Sequence, residues 1–181
     1  MKSWKTFQFV ARVVVTSLLL PAGPLFAQDQ PGSTPPAPIP AELLSARKIF
    51  VSNAGADSGL FPHPFSGDPN RGYNELFVDL HALIQFELVS SPAQADLVLE
   101  LRLVAPYGPT SPNKQNGAAD PLPMFRLVVY DRPSHYVLWT FTNTVEVALK
   151  QQTHDRNFDE AVSNLVAGFQ AITRAPRAGD Q

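Results

Sequence analysis

Hydrophobic and polar positions alternate along this chain with two different periods. The stretch "LVLELRLV", from residue 97, places four leucines two residues apart, with charged or smaller side chains between them. That period is typical of a strand with one buried face. Between Phe158 and Ile172, apolar residues instead recur every three or four positions, which predicts a helix with one continuous apolar stripe.

The same two periods predict the elements before the leucine strand. "RKIFVSN" is a short β-branched and aromatic strand, and the spacing from Tyr73 to Ile84 predicts a helix beginning at the pair Asp68 and Pro69. "FELV" is a short extended piece. The run from Ser91 to Gln94 fits a capping box with proline in the first turn, which predicts one turn of helix.

A hairpin and a second helix follow. "MFRLVVY" and "HYVLWTFTNT" flank the turn "DRPS". We expect Arg126 to face outward in the first strand. In the second strand we expect Val137, Trp139 and Phe141 to face inward and Tyr136, Leu138 and the threonines outward. The last helix is predicted to begin at Asn157, with Glu160 completing its cap, and to end before Pro176.

The predicted order is therefore β-α-β-β-β-α. The strand–helix–strand unit should pair in parallel, and the later strands should form an antiparallel meander. Two amphipathic helices can cover one face of a small mixed sheet. The predicted fold class is α/β, a two-layer sandwich with both helices on one face.

The segments around this domain have other compositions. Residues 1–27 combine a basic start, a short apolar stretch and a small residue at Ala27, which predicts a secretory signal peptide; a retained membrane anchor is the alternative. Residues 28–45 form a proline-rich linker, 46–175 a single domain and 176–181 a tail. The polar, proline-containing stretch 105–123 predicts a long flexible loop.

Composition excludes several kinds of site. The chain has no cysteine, which excludes disulfides, thiolate metal sites and a thiol nucleophile. Loss of the three basic residues in 1–27 would leave 11 basic against 16 acidic residues, a net charge of −5. With no basic run either, we expect no nucleic-acid partner and no membrane insertion after signal cleavage.

Catalytic and cofactor motifs are weak. None of the four histidines stands at metal-ligand spacing, and we predict no metal and no cofactor. The loop 54–68 precedes a helix, the usual place for an anion, but it lacks a phosphate-binding motif. Asp57 and His63 are its candidate ligand-binding residues. With Ser58 they could compose a hydrolytic trio, although no nucleophile elbow accompanies them.

The outward face of the sheet is the other candidate site. It should present Arg102, Arg126, Tyr130 and Tyr136, and arginine and tyrosine are enriched where proteins bind each other. Tyrosine, valine and threonine also favour any strand, so an ordinary sheet face is the alternative interpretation.

The stretch "NELFVDLHALIQFELVSSPAQADLVLELRL" resembles small exported proteins of the bacterial envelope. The activators of penicillin-binding proteins and the curli-secretion lipoproteins also place a strand of the form Ala-Asp-x-Val-Leu after a helix. The resemblance implies a non-catalytic role in partner binding or assembly and transfers no catalytic residue. This chain lacks the lipid-bearing cysteine of the lipoprotein members.

These observations favour an exported, non-enzymatic α/β domain, periplasmic or secreted, that binds another envelope or secreted protein. A small-ligand binder that uses the loop 54–68, and a hydrolase with a site of unfamiliar form, are the alternatives.

Overall fold

A computed structural model describes residues 37–106 and 122–174. The chain forms a short helix, a strand, a helix, four further strands and a final helix, with a short 3-10 turn between the first two of those four strands. Their bounds are α1 Ala41–Ser45, β1 Lys48–Ala56, α2 Arg71–His81, β2 Glu87–Leu88, the 3-10 turn Pro92–Gln94, β3 Leu97–Val104, β4 Met124–Asp131, β5 Val137–Thr144 and α3 Gln151–Thr173.

The five strands form one mixed sheet in the order β2-β1-β3-β4-β5. β1 pairs in parallel with both β2 and β3, and β3, β4 and β5 form the antiparallel meander. The expected parallel pairing and meander are confirmed. The extended piece "FELV" contributes a fifth strand of only two residues at one edge of the sheet.

The core lies between the helices and one face of this sheet. The four leucines of β3 are at most 3% exposed and join Ile49, Leu127 and Val129 from the neighbouring strands. Leu76 of α2 and Phe158 of α3, both fully buried, belong to the same cluster. The predicted two-layer α/β arrangement is therefore confirmed, with the helices packed on the leucine side.

The core also extends to residues before position 46. Leu43 of α1, within the stretch predicted as linker, is only 1% exposed. Asp96 connects this region to the start of β3, because its Oδ2 accepts hydrogen bonds from the backbone N–H groups of Arg47 and Lys48, both at 2.8 Å. These two hydrogen bonds hold the pKa of Asp96 below its ordinary value.

Both long helices begin at residues other than those predicted. α2 starts at Arg71, because the Asp68 carboxylate binds the N–H of Asn70 and closes a turn before the helix. Ile84, predicted on the apolar stripe, is fully exposed beyond the helix end. α3 starts at Gln151, six residues before Asn157, whose side chain instead donates to the carbonyl of Glu146.

The hairpin contains an irregularity that reverses two predicted facings: Val137, expected inward, faces outward, and Leu138, expected outward, packs against the core. The register of β4 and β5 shifts between Val129 and Tyr130, so that Val129 pairs with Trp139 but Tyr130 pairs with Val137. Leu138 is the extra residue of this β-bulge. The prediction that Val137 faces inward is wrong: it shares the outward face of Tyr130 and is 53% exposed. Trp139 and Phe141 pack against the core as expected.

Several predictions fall outside the described residues. They are the signal peptide 1–27, the first half of the proline-rich linker (28–36), most of the loop 105–123 and the tail 176–181. Within the described ranges, no helix is both long and apolar enough to cross a membrane.

Candidate functional site

The side of the sheet opposite the helices presents four rows of side chains that run across neighbouring strands. We call this surface the outer face. Its first row is apolar, its second row is mixed, its third row carries two arginines, and its fourth row is short. The rows are Phe50–Val98–Tyr130–Val137, Ser52–Glu100–Val128–Thr140, Arg102–Arg126–Thr142 and Val104–Met124–Thr144.

Helices of the described chain leave this face open, because α1, α2 and α3 all contribute their buried side chains to the leucine-side core. Phe50, Val98 and Tyr130 are only partly buried, and Arg126 and Thr142 are exposed. Val128, in the middle row, is 4% exposed although it does not belong to the core. The outer face therefore has a packed centre between an apolar row and an arginine row.

Two of the predicted residues lie side by side in the arginine row. Arg102 of β3 and Arg126 of β4 are direct cross-strand partners. Asp57 holds the first of them, with 3.1 Å between Arg102 Nη2 and Asp57 Oδ1. The backbone N–H of Ala105 donates to the other oxygen of Asp57 at 3.0 Å. The Ala105 N–H, together with Arg102, keeps the pKa of Asp57 below its ordinary value, so this carboxylate is ionised at neutral pH.

Of the other two residues predicted for this face, one lies on it and the other lies in the hairpin connection. Tyr130 lies in the apolar row, opposite Val98. Tyr136 precedes β5 and lies in the hairpin connection. Because of the bulge, Val137 takes the position beside Tyr130 that was expected for Tyr136. The alternation of "KIFVSN", with Ile49 and Val51 inward, could have placed Phe50 on the outer face.

The loop 54–68 does not bring its two candidate residues together. Asp57 is bound to the end of β3, whereas the loop around exposed His63 is attached to α3. Buried Phe65 packs against Phe158 there, with 5.2 Å between ring centroids, and Pro64 accepts a hydrogen bond from Gln151 at 2.9 Å. No hydrogen bond links Asp57, Ser58 or His63 to one another in the described structure.

An ion-pair cluster between α2 and α3 was not predicted. Arg71 binds Glu75 at 2.8 Å and Asp155 at 3.0 Å, also pairs with Asp159, and lies 4.6 Å over the ring of Phe158. Burial raises the pKa of Glu75, and the nearby Asp159 adds to the rise. The spacing of Arg71 and Glu75, four residues apart on a helix, was the available signal. The cluster ties the start of α2 to the first turns of α3, and this role in stability explains its arrangement without a bound ligand.

A groove of about 380 Å³ opens beside this cluster. It is lined by Asn74, Glu75, Val78, Asp79, Asp159 and Ser163. Three of these six residues are acidic, and side chains at its rim bind each other, as Ser163 binds Asp79 at 3.2 Å. Within the described residues, no set of three histidine or acidic side chains could hold a metal ion.

His154 lies inside α3, which begins before the predicted start at Asn157. It is only 7% exposed. Its Nε2 accepts a hydrogen bond from the N–H of Ala148 at 3.1 Å, and its ring lies 6.3 Å from that of Phe65. Its Nδ1 is buried without a partner in the described structure. His154 thereby fixes the connection between β5 and α3.

Neither a protein-family model nor a curated protein matches the chain. Solved structures do resemble it. A DUF4136 family protein from Bacteroides thetaiotaomicron shares 13% identity, covering 74% of this chain and 91% of that one, with a TM-score of 0.48. A PelC dodecamer from Paraburkholderia phytofirmans shares 15% identity, covering 72% of this chain and 89% of that one, with a TM-score of 0.40. The lipoprotein GNA1162 from Neisseria meningitidis shares 13% identity, covering 69% of this chain and 99% of that one, with a TM-score of 0.35. At these identities, each is a likeness of fold.

Proposed function

We propose that this chain is an exported, non-enzymatic domain that binds another protein of the cell envelope, or a secreted protein, through its outer face. The observation that carries the proposal is the ordered composition of that face. An apolar row and an arginine row lie on either side of buried Val128, on a face of the sheet that no helix of the described chain covers. The basic start and short apolar stretch of residues 1–27 support export.

The rows also indicate the chemistry of the partner. Arg126 is exposed beside Arg102, and a guanidinium group recognises a carboxylate through two parallel hydrogen bonds. Tyr130 lies four residues away on the same strand, a distance of about 13 Å at the usual rise per residue. The partner should therefore present an acidic group and an apolar side chain separated by roughly that distance.

Tyr130 and Arg126 are suited to be the energetic centre of such an interface. Tyrosine and arginine are among the residue types that most often carry binding energy, and here Tyr130 is half-buried and Arg126 is exposed on the same strand. Asp57 already fixes Arg102, so less side-chain freedom is lost when the partner binds.

The test is capture of the partner from cells that produce the tagged full chain, after crosslinking in the intact cells and identification by mass spectrometry. The double substitution R126A/Y130A should lower recovery of the partner by roughly tenfold or more, because it removes two central contacts.

The matched control is R156A. Arg156 is an exposed arginine on α3, on the helix side of the sheet, and pairs with Glu160 at 3.5 Å. R156A should recover as much partner as the unmodified chain, and all three proteins should melt at the same temperature. Recovery by R126A/Y130A at the unmodified level would exclude the outer face, and capture of no specific partner would refute the proposal.

A further inference from the structure

His154 is the one buried titratable side chain among the residues that the structure describes, with 7% of its surface exposed. Its Nε2 accepts a hydrogen bond from the N–H of Ala148 at 3.1 Å, whereas its Nδ1 is buried without a partner in the described structure. A neutral imidazole has one accepting and one protonated nitrogen, so this hydrogen bond places the ring proton on Nδ1. The ring can therefore take up a second proton only at the atom that binds Ala148.

This hydrogen bond holds a segment that has few other attachments. The connection 145–150 joins β5 to α3. Its first two residues are anchored by hydrogen bonds to the residue before β4 and to α3. Further along, Val147 is 60% exposed and Leu149 is fully exposed, so neither side chain anchors the connection in the core. The position of this second half therefore depends on the bond from Ala148 to His154.

Protonation of His154 would break that bond. Both ring nitrogens of an imidazolium are donors, so Nε2–H would face the N–H of Ala148 and neither group would have an acceptor. An unpaired buried donor costs free energy, and a buried charge costs more. The ring avoids both costs by turning toward water, and to do so it must separate from Ala148.

In the described structure, the elements around His154 present no acidic side chain to either ring nitrogen at ion-pair distance. Phe65 of the loop 54–68 contributes an uncharged ring, and Asp155, next to His154 in sequence, instead binds Arg71 at 3.0 Å. The charged and titratable groups on these elements are His63 and Asp68 of the loop, Glu146 and Lys150 of the connection, and Asp155, Arg156, Asp159 and Glu160 of α3.

We infer that His154 is a pH-sensitive switch for the connection 145–150. Above about pH 6.5 the neutral ring binds Ala148 and holds the connection against α3. As the pH falls below that value, a histidine in water takes up a proton, whereas the buried ring can do so only by losing its hydrogen bond. The open form therefore binds more protons than the closed form, so acid favours opening. The change is local, because the leucine-side core consists of apolar side chains that do not titrate.

The switch does not depend on the proposed partner binding, because α3 lies on the side of the sheet opposite the outer face. Its test is hydrogen exchange of backbone amides, followed by NMR on the full-length chain between about pH 8 and about pH 5. The protection of the Ala148 amide, corrected for the intrinsic exchange rate at each pH, should fall by about tenfold per pH unit below about pH 6.5, because one proton is coupled to opening. The amide of Leu99, in the middle of β3, should keep its protection.

Two substitutions assign the effect to His154. H154Q keeps a hydrogen-bond acceptor near the position of Nε2 but cannot titrate, so the protection of Ala148 should become independent of pH in this variant. H63Q is the matched control, because it makes the same substitution at an exposed histidine, and it should retain the pH dependence.

Constant protection of Ala148 in the unmodified chain overturns the inference. An equal loss of protection at Leu99 also overturns it, since the whole domain would then unfold. Persistent pH dependence in H154Q, or its disappearance in H63Q, has the same consequence. If H154Q does not melt cooperatively, the comparison of Ala148 with Leu99 in the unmodified chain and in H63Q decides.

Discussion

Replacement of Gly72 by alanine tests whether α2 packs as closely on the sheet as the structure shows. Gly72 is the second residue of α2 and is buried. A Cβ added there would lie 2.7 Å from Phe125 Cε1, 3.0 Å from Phe125 Cζ and 3.4 Å from Phe158 Cζ. Phe125 and Phe158 are at most 1% exposed and contact each other edge to face, with centroids 4.8 Å apart. Neither ring can move aside without displacing other core residues.

Two opposing effects decide the magnitude. Forcing a methyl group into a packed core costs about 1–3 kcal/mol. Alanine in place of glycine favours a helix by at most about 1 kcal/mol, and by less in its first turn. Steric overlap is the larger effect, so G72A should lower the free energy of unfolding by about 1–2 kcal/mol.

The measurement is chemical denaturation at equilibrium, followed by both fluorescence and circular dichroism. G168A is the control, because it makes the same substitution inside α3. Its Cβ would lie 3.3 Å from Phe141 Cδ1. Phe141 is only partly buried and can yield, so G168A should be within about 1 kcal/mol of the unmodified chain. If G72A is as stable as the unmodified chain, with the same denaturant dependence, the close packing of α2 on Phe125 is wrong.

Two further substitutions test other contacts. D96A removes the acceptor for the N–H groups of Arg47 and Lys48 and should cost about 1–2 kcal/mol at neutral pH. Because the pKa of Asp96 is lowered in the folded chain from its ordinary 3.8, this stabilisation is present above that value. It is lost as the pH falls through the folded-state pKa, so stability curves of D96A and the unmodified chain should converge in acid and not in base. F65A should cost about 3–5 kcal/mol in thermal or chemical melts because Phe65 is fully buried, whereas F77A, at a residue that is 38% exposed, should cost much less; equal losses would contradict the role of Phe65 as the anchor of the loop 54–68.

Local patterns in the sequence determined most of the architecture. The alternation of β3 predicted its buried face, because successive side chains of a strand point to opposite sides whatever the rest of the chain does. The Ser91 cap was equally local: its hydroxyl accepts a hydrogen bond from the N–H of Ala93, two residues away. Arg102, Arg126 and Tyr130 were placed on the outer face by the same alternation.

The tertiary structure decided whatever depends on residues distant in sequence. The bulge at Leu138 turns Val137 outward, and the pairing of β4 with β5 sets its position. His154 is buried because α3 begins two turns earlier than its apolar stripe indicates and because the loop around Phe65 covers it. Asp57 joins the outer face because its carboxylate binds Arg102, which lies 45 residues further along the chain. A period reports which side chains share a side of one element, but only the packing of elements determines which of those sides meet and which remain open to a partner.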